Sequence, residues 1–168
     1  TFMNEFTYRP AVPADAVQLA DLAAELNAYH KDDFRPDPDK IKADWDCFEA
    51  FVAADAKGKI LAFVAGYEAY QFQSATRHFE IQNLHVAHSH RRKGIGRELM
   101  RFVIAEKFRQ GLSCFKLGYQ GDNSTAQAFY ASLGFEEKPK ADARRAWLGG
   151  DPLQELLNKG AHYEDPEA

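Results

Sequence analysis

The sequence predicts a mixed α/β domain in which antiparallel strands are followed by a parallel pair, with helices on both faces of the sheet. Two aromatic-rich apolar runs are joined by a short charged segment containing Gly58, which is the pattern of a β-hairpin. A third run, 79–86, is followed by a long helical pattern and a fourth run, 114–119. A crossover of this kind makes the last two strands parallel. Residues 13–29 carry apolar side chains at helical spacing and supply another helix.

Local signals predict the elements of the first half. Residues 6–9 alternate in polarity and meet Pro10, which is typical of a short edge strand. Pro13 and Asp15 open the first helix. Segment 30–40 contains two prolines and breaks the helical period, so we expect a loop there. The elements expected next are a short helix at 41–46, hairpin strands at 48–54 and 60–72, and a turn at 73–76.

The second half begins with the long helix of the crossover. Its apolar positions are Ile95, Leu99, Phe102, Val103 and the segment 106–108, and Gly111 ends it. The elements expected after the fourth run are a helix at 125–133 with Asn123 or Ser124 as its cap and Gly134 at its end, a hairpin of 135–138 and 146–148, a terminal helix at 151–157 and a frayed acidic tail at 163–168.

Composition favours a single globular domain spanning 1–168, with a core of about 5–150 and a carboxy-terminal helix and tail at 151–168. The chain has 168 residues, of which 45% are hydrophobic and 13% aromatic. Lys and Arg number 21 against 25 Asp and Glu, which gives a net charge of −4. This balance provides no overall basic field for nucleic acid. The local basic cluster at 91–93 is therefore better assigned to a small phosphorylated ligand.

Cysteine and histidine usage predicts neither a disulfide framework nor a metal site. Cys47 and Cys114 lie far apart and form no CxxC motif. His85 lies on a predicted strand, whereas His88 and His90 fall in the following loop without a carboxylate or cysteine placed beside them. We see no signal peptide and no apolar run near 18 residues, so we expect a cytoplasmic protein without membrane contact.

A glycine-containing turn lies where the third predicted strand ends and the long helix begins. A helix start has unpaired N–H groups and a partial positive charge, which suit an anion. Gly94 and Gly96 allow close approach to the backbone, and Arg91, Arg92 and Lys93 bring positive charge to the turn. The chemistry indicated is a pyrophosphate site.

The spacing excludes two common pyrophosphate motifs. A dinucleotide fingerprint requires a third small residue where this chain has Leu99, and no Gly-Lys-Ser/Thr sequence occurs. The remaining pattern, Arg-x-x-Gly-x-Gly over residues 91–96, resembles the acyl-CoA motif of the GNAT superfamily of N-acetyltransferases. Residues 123–135 are similar to the superfamily's Asn-x-x-Ala-x-x-x-Tyr-x-x-x-Gly-Phe segment. The closest general likeness is to the spermidine/spermine (diamine) N-acetyltransferases.

The resemblance implies how acetyl-CoA would bind as cosubstrate, without a metal. In the family the two parallel strands splay apart at their carboxyl ends, and the acyl-CoA arm enters the gap. The residues implied in binding are Leu84, His85 and Val86 for the pantetheine amides, Arg91, Arg92, Lys93, Gly94, Ile95 and Gly96 for the diphosphate, and Asn123 and Tyr130 from the second motif.

The resemblance also implies a proton donor and leaves the base open. Tyr130 matches the family's acid, which protonates the leaving thiolate. The position at which diamine-type relatives often carry a glutamate base is Gln82, which cannot accept a proton. Glu80 is two residues earlier and, by strand alternation, on the same face, so it is our candidate base, acting directly or through water. A solvated or ion-paired Glu80 is the alternative.

Three functions stay open at this point. The first is acetylation of a primary amine of a small molecule such as a diamine, a polyamine or an aminoglycoside. The second is acetylation of a protein lysine or amino terminus, and the third is acyl-CoA binding without turnover. Asp32, Asp33, Asp37 and Asp39 form either an acidic wall for a polycationic amine or an ordinary solvated loop. Exposed sheet edges are compatible with a homodimer, although no segment specifies one.

Overall fold

The computed structural model describes residues 5–137 and 150–158. The chain divides into two compact units, residues 1–133 and 134–168. The second unit contains helix α5 (Gly150–Asn158), in agreement with the helix expected at 151–157. Residues 135–137 have no strand structure, and the rest of the expected hairpin and the tail at 163–168 lie outside the described residues. The single-domain organisation stays a prediction.

A five-stranded mixed sheet forms the centre of the first unit. Its strands are β1 (Phe6–Pro10), β2 (Glu49–Asp55), β3 (Ile60–Gln71), β4 (Thr76–Val86) and β5 (Phe115–Leu117). They are ordered β1-β2-β3-β4-β5, and each is antiparallel to its neighbour except for the parallel β4–β5 pair. The predicted fold class is therefore confirmed. Strand β4 begins at Thr76 rather than Phe79, directly after a turn in which Ala75 has φ 52°.

Four helices accompany this sheet, and one of them begins earlier than predicted. They are α1 (Ala16–Tyr29), α2 (Pro38–Ala43), α3 (Ile95–Arg109) and α4 (Ser124–Ser132). The expected bounds of 41–46 for α2 were wrong. Asp37 accepts the N–H of Asp39 at 2.9 Å and Pro38 occupies the first helical position, so this segment starts a helix instead of breaking one.

Helices α1 and α3 cover opposite faces of the sheet. Leu19 and Leu22 of α1 pack into a cluster with Val52 and Phe63. On the other face, the rings of Phe51 in β2 and Phe102 in α3 lie 6.3 Å apart. Because Val52 and Phe51 are consecutive, their side chains point to different faces. The sheet is therefore enclosed between the two helices, as the sequence predicts.

The apolar face of α3 contains a lysine at its carboxyl end. Lys107 follows Val103 by four residues and is fully buried, whereas Phe108 is 64% exposed. The prediction that Phe108 belongs to the apolar face was wrong. Its charged neighbour Lys107 occupies the buried position instead.

Lys107 is held by a cluster of polar groups on two strands and its own helix. Its Nζ donates to both carboxylate oxygens of Glu49 at 2.7 and 2.9 Å, to Glu68 at 2.9 Å and to Gln110 at 2.8 Å. It also lies 5.2 Å from the centre of the Phe79 ring. These contacts compensate for burying the ammonium group.

A β-bulge interrupts the pairing of β3 and β4. Ala65 is opposite Asn83 and Gly66 is opposite Ile81, so Gln82 has no partner in β3. A Cβ atom at Gly66 would lie 2.1 Å from the carbonyl oxygen of Glu80. The close approach of the two backbones therefore requires glycine at position 66.

The bulge changes which residues of β4 share a face. Phe79 faces α3, because its ring lies beneath Lys107. Glu80 consequently faces the side of the sheet that α1 covers. His85 faces that same side and lies beside Glu25 of α1, although strict alternation would have put positions 80 and 85 on opposite faces.

Candidate active site

The parallel strands β4 and β5 part at one end. They pair at three positions, Phe79 with Phe115, Glu80 with Lys116 and Ile81 with Leu117. Strand β4 then continues to Val86 without a partner in β5. The backbone groups of residues 82–86 that face the gap are therefore free of sheet pairing. Leu84, His85 and Val86, the expected pantetheine contacts, lie in this segment.

The turn between β4 and α3 has an unusual backbone that leaves its amides open. Arg92 has φ 63° and Gly94 has φ 78°. Within the described ranges, the N–H groups of residues 92–97 have no hydrogen-bond acceptor. A Cβ atom at Gly96 would lie 3.2 Å from Val86 Cγ2, so Gly96 also lets α3 start close to β4. This set of amides is the geometry that binds a phosphate group.

Helix α1 holds this turn in place. Glu25 accepts the backbone N–H of His88 at 2.6 Å. The side chain of Arg91 donates to the carbonyl of Val86 at 3.2 Å, and its guanidinium lies 5.5 Å from the centre of the Tyr29 ring. Arg91 therefore stabilises the turn through contacts with the protein itself.

Two further cations of the turn are available to a ligand. Arg92 and Lys93 are exposed. Neither forms an ion pair with a residue in the described part of the chain. Their charge adds to the field of the free amides.

His85 packs into the protein instead of facing the gap. It is 3% exposed, and its Nε2 lies 3.5 Å from Glu25 without forming a hydrogen bond. Burial lowers the pKa of His85, an effect that Glu25 opposes and Arg91 reinforces. The imidazole is therefore neutral at neutral pH, and a contact of His85 with cosubstrate would use its backbone.

The second motif forms α4, in which Tyr130 contacts the rings of Tyr119 and Phe129. Asn123 is the cap, because its side chain accepts the N–H of Ala126 at 3.0 Å. Tyr130 stacks on Tyr119 with ring centres 5.7 Å apart. Burial raises the pKa of Tyr130, so its phenol is protonated at neutral pH and able to donate a proton.

An arginine of α3 fixes the position of α4. Arg97 donates to the hydroxyl of Ser132 at 2.6 Å, and its guanidinium lies 5.9 Å from the centre of the Phe129 ring. Phe129 precedes Tyr130, and a Cβ atom at Gly96 would lie 3.8 Å from its ring. The amide-lined turn and the phenol therefore belong to one packed assembly.

Glu80 lies where the gap begins, one residue before the last pair of β4 and β5. Its side chain is 28% exposed and contacts His78 Nε2 at 3.2 Å. Gln82 is the exposed bulge residue. The sequence prediction included Glu80 but missed His78 and the bulge, which Gly66 within a strand could have indicated.

The acidic loop has a structural explanation for two of its four carboxylates. Asp32 accepts the N–H of Phe34 at 3.0 Å, and Asp37 caps α2. These contacts are typical of Asx turns and helix starts. They give these two carboxylates an ordinary structural role at a turn and at a helix start.

A cavity of about 390 Å³ lies at a different place in the first unit. It is bordered by Trp45, Phe48 and Glu49 and by Glu106 and Gln110 near the end of α3. A helix of this length spans roughly 20 Å, so the cavity lies far from the turn at the start of α3. The chemistry of the gap, the turn and Tyr130 is the better guide to the site.

The described residues contain no group of three or more His, Cys, Asp or Glu side chains arranged to hold a metal ion. Among the same residues, no helix is long and apolar enough to cross a membrane.

Parted parallel strands, an amide-lined turn at a helix start and a protonated phenol define a class of acyl-transfer enzymes that use a diphosphate-containing carrier. Residues 19–135 match the acetyltransferase (GNAT) family. The chain belongs to the GNAT family of acetyltransferases and is an acetyl-CoA-dependent N-acetyltransferase. Enzymes of this family generally transfer acetyl groups to amines.

Proteins similar to this chain are found both by sequence and by structure. Thialysine N-epsilon-acetyltransferase of Bos taurus is 24% identical over 164 residues, which cover 90% of this chain and 96% of that protein. An aminoglycoside acetyltransferase from an uncultured soil metagenomic sample, solved with sisomicin, has a TM-score of 0.75 at 19% identity, covering 87% of this chain and 98% of the other.

A third similar protein is the ribosomal-protein-alanine N-acetyltransferase from Brucella melitensis biovar Abortus 2308. It has a TM-score of 0.70 at 20% identity and covers 84% of this chain and 99% of the other. At these identities the two solved structures show a common fold.

Proposed function

We propose that this enzyme transfers the acetyl group of acetyl-CoA to a primary amine of a small molecule, by direct attack within a ternary complex. The observation that carries the proposal is the placement of free turn amides, an open strand gap and a protonated Tyr130 in one packed unit. The small-molecule acceptor is supported by the nearly full-length likeness to a thialysine N-epsilon-acetyltransferase.

The turn and the gap would bind the cosubstrate. The diphosphate would accept hydrogen bonds from the amides of residues 92–96, with Arg92 and Lys93 supplying charge. The pantetheine amides would pair with free backbone groups near Leu84, His85 and Val86. An N–H near Val86 would polarise the thioester carbonyl as charge develops on its oxygen, which is commonly worth about 3 kcal/mol. In this binding mode Asn123 contributes by starting α4.

The acceptor amine must lose a proton before or during attack. An amine with pKa about 10.4 is neutral to roughly one part in two thousand at pH 7, a deficit of about 4 to 5 kcal/mol. Glu80 is the base we propose, acting directly or through water, because it is an accessible carboxylate at the start of the gap. As the C–N bond forms and the C–S bond breaks, the amine proton goes to Glu80 and the thiolate takes one from Tyr130.

Replacing Tyr130 by Phe is expected to lower kcat by about 10-fold or more with little change in KM for acetyl-CoA. The substitution keeps the ring that stacks on Tyr119 and removes the acidic proton. Steady-state kinetics checks this result. The matched control is Tyr70→Phe, since Tyr70 is 59% exposed on β3. A kcat equal to that of the control variant would remove Tyr130 from the mechanism.

Thiol release from acetyl-CoA across a panel of diamines, aminoglycosides, amino acids and peptides tests the proposed function. Release with small primary amines and none with peptides is the expected result. The reverse pattern would select the protein acetyltransferase alternative, for which the alanine N-acetyltransferase fold is the precedent. Acetyl-CoA binding without release on any acceptor would favour a binding module, a role that does not require the phenol of Tyr130. A homodimer stays a separate prediction for light scattering.

A further inference from the structure

A buried histidine, His78, contacts the carboxylate of Glu80. His78 and Glu80 are two residues apart on β4 and share a face, and His78 Nε2 lies 3.2 Å from Glu80 Oε2. The side chain of His78 is 9% exposed, whereas that of Glu80 is 28% exposed. The imidazole is therefore enclosed while the carboxylate remains accessible at the start of the gap.

The contact determines which ring nitrogen of His78 carries the proton. A carboxylate only accepts hydrogen bonds, so Nε2 must be the donor. Nδ1 is buried and has no hydrogen-bond partner in the described ranges. The geometry thus assigns Nε2 of His78 as the donor and directs it at Glu80.

The other polar groups on this face do not replace that donor. Lys116 is opposite Glu80 in β5, but its Nζ donates to Gln71 at 2.6 Å. Tyr67 is opposite Glu80 in β3. Within the described part of the chain, the contact with His78 is the only hydrogen bond or ion pair found for the Glu80 side chain.

We propose that His78 is a positioning residue that holds the carboxylate of Glu80 towards the acceptor amine. The inference rests on the proposed function, in which Glu80 is the base. An orienting partner behind a base is a recurrent arrangement in enzymes, because it fixes the rotamer that reaches the substrate. A hydrogen bond to an ionised group is strong enough to alter a rate about 10-fold when it is lost.

The decisive experiment is a double-mutant cycle with steady-state kinetics. His78→Leu removes the donor and is expected to lower kcat/KM for the amine by about 10-fold, with KM for acetyl-CoA unchanged. His78→Gln offers an N–H at a similar reach and is expected to recover activity to within about 3-fold of wild type. In a Glu80→Gln background, His78→Leu is expected to have little further effect.

The outcomes separate this inference from the proposed function. Equal losses from His78→Leu with and without Glu80→Gln would mean that His78 acts independently of Glu80, and the inference would fail. An unaffected His78→Leu enzyme would also overturn it while leaving acetyl transfer established. A wild-type protein without transfer activity on any amine would overturn the proposed function first, and the inference with it.

A spectroscopic measurement covers the case in which His78→Leu does not fold. Nitrogen chemical shifts of the wild-type histidines report the tautomer of each ring. A proton on Nε2 is expected for His78. A ring protonated only at Nδ1 would contradict the donor assignment and overturn the inference.

Discussion

Replacing Lys107 by alanine is expected to lower the free energy of unfolding by about 3 kcal/mol, the lower end of the range for breaking a buried ion pair. The substitution leaves the carboxylates of Glu49 and Glu68 facing each other without their shared cation. These side chains are 38% and 36% exposed, so water relieves part of the repulsion and keeps the loss near the lower limit. Urea denaturation followed by circular dichroism measures it.

Arg101→Ala is the matched control, because Arg101 lies on the same helix in an exposed pair with Glu98. It is expected to cost less than about 1 kcal/mol. Equal losses for the two variants would show that the buried cluster adds nothing beyond a surface pair.

The defect caused by Lys107→Ala should also depend on pH. A hydrogen bond from Arg77, followed by one from Lys107, lowers the pKa of Glu68 below its ordinary value of 4.5. A lowered carboxyl pKa contributes stability that is present at neutral pH and is lost as pH falls through the folded-state value. The difference between wild type and the variant should therefore shrink below pH 4.5.

Replacing Gly66 by alanine is expected to cost about 3 kcal/mol or more and to abolish most acetyl transfer. The new Cβ would lie 2.1 Å from the backbone oxygen of Glu80, and a backbone atom cannot move aside as the end of a side chain can. Relief requires β3 and β4 to separate at the bulge, beside the proposed base. Denaturation midpoints and thiol release measure the two effects.

Gly121→Ala is the control for this substitution. A Cβ atom at Gly121 meets no atom within 4 Å, and Gly121 is not among the glycines with positive φ. It is expected to change stability by less than about 0.5 kcal/mol. Indistinguishable midpoints for the two glycine variants would contradict the steric account of the bulge.

The sequence predicted the features that have local signals. The order of strands, the start of α3 at the glycine turn and the capping of α4 by Asn123 all agree with the structure. The start of α2 was missed because two prolines were interpreted as a break, although Asp37 and Pro38 form a helix start. Local sequence is informative where a side chain bonds to its own backbone.

The features that were missed depend on what packs against a residue. The sequence around Lys107 does not indicate that its ion-pair partners are Glu49 and Glu68, which lie on distant strands. The burial of His78 and its contact with Glu80 likewise depend on the tertiary structure. The roles of the site residues themselves remain predictions for the kinetic experiments.

The unpaired residue in β4 has a practical consequence for anyone attaching probes to this strand. Counting odd and even positions predicts orientation correctly on either side of Gln82 but not across it. Spin labels at positions 79 and 83 would therefore report opposite environments, despite an even separation.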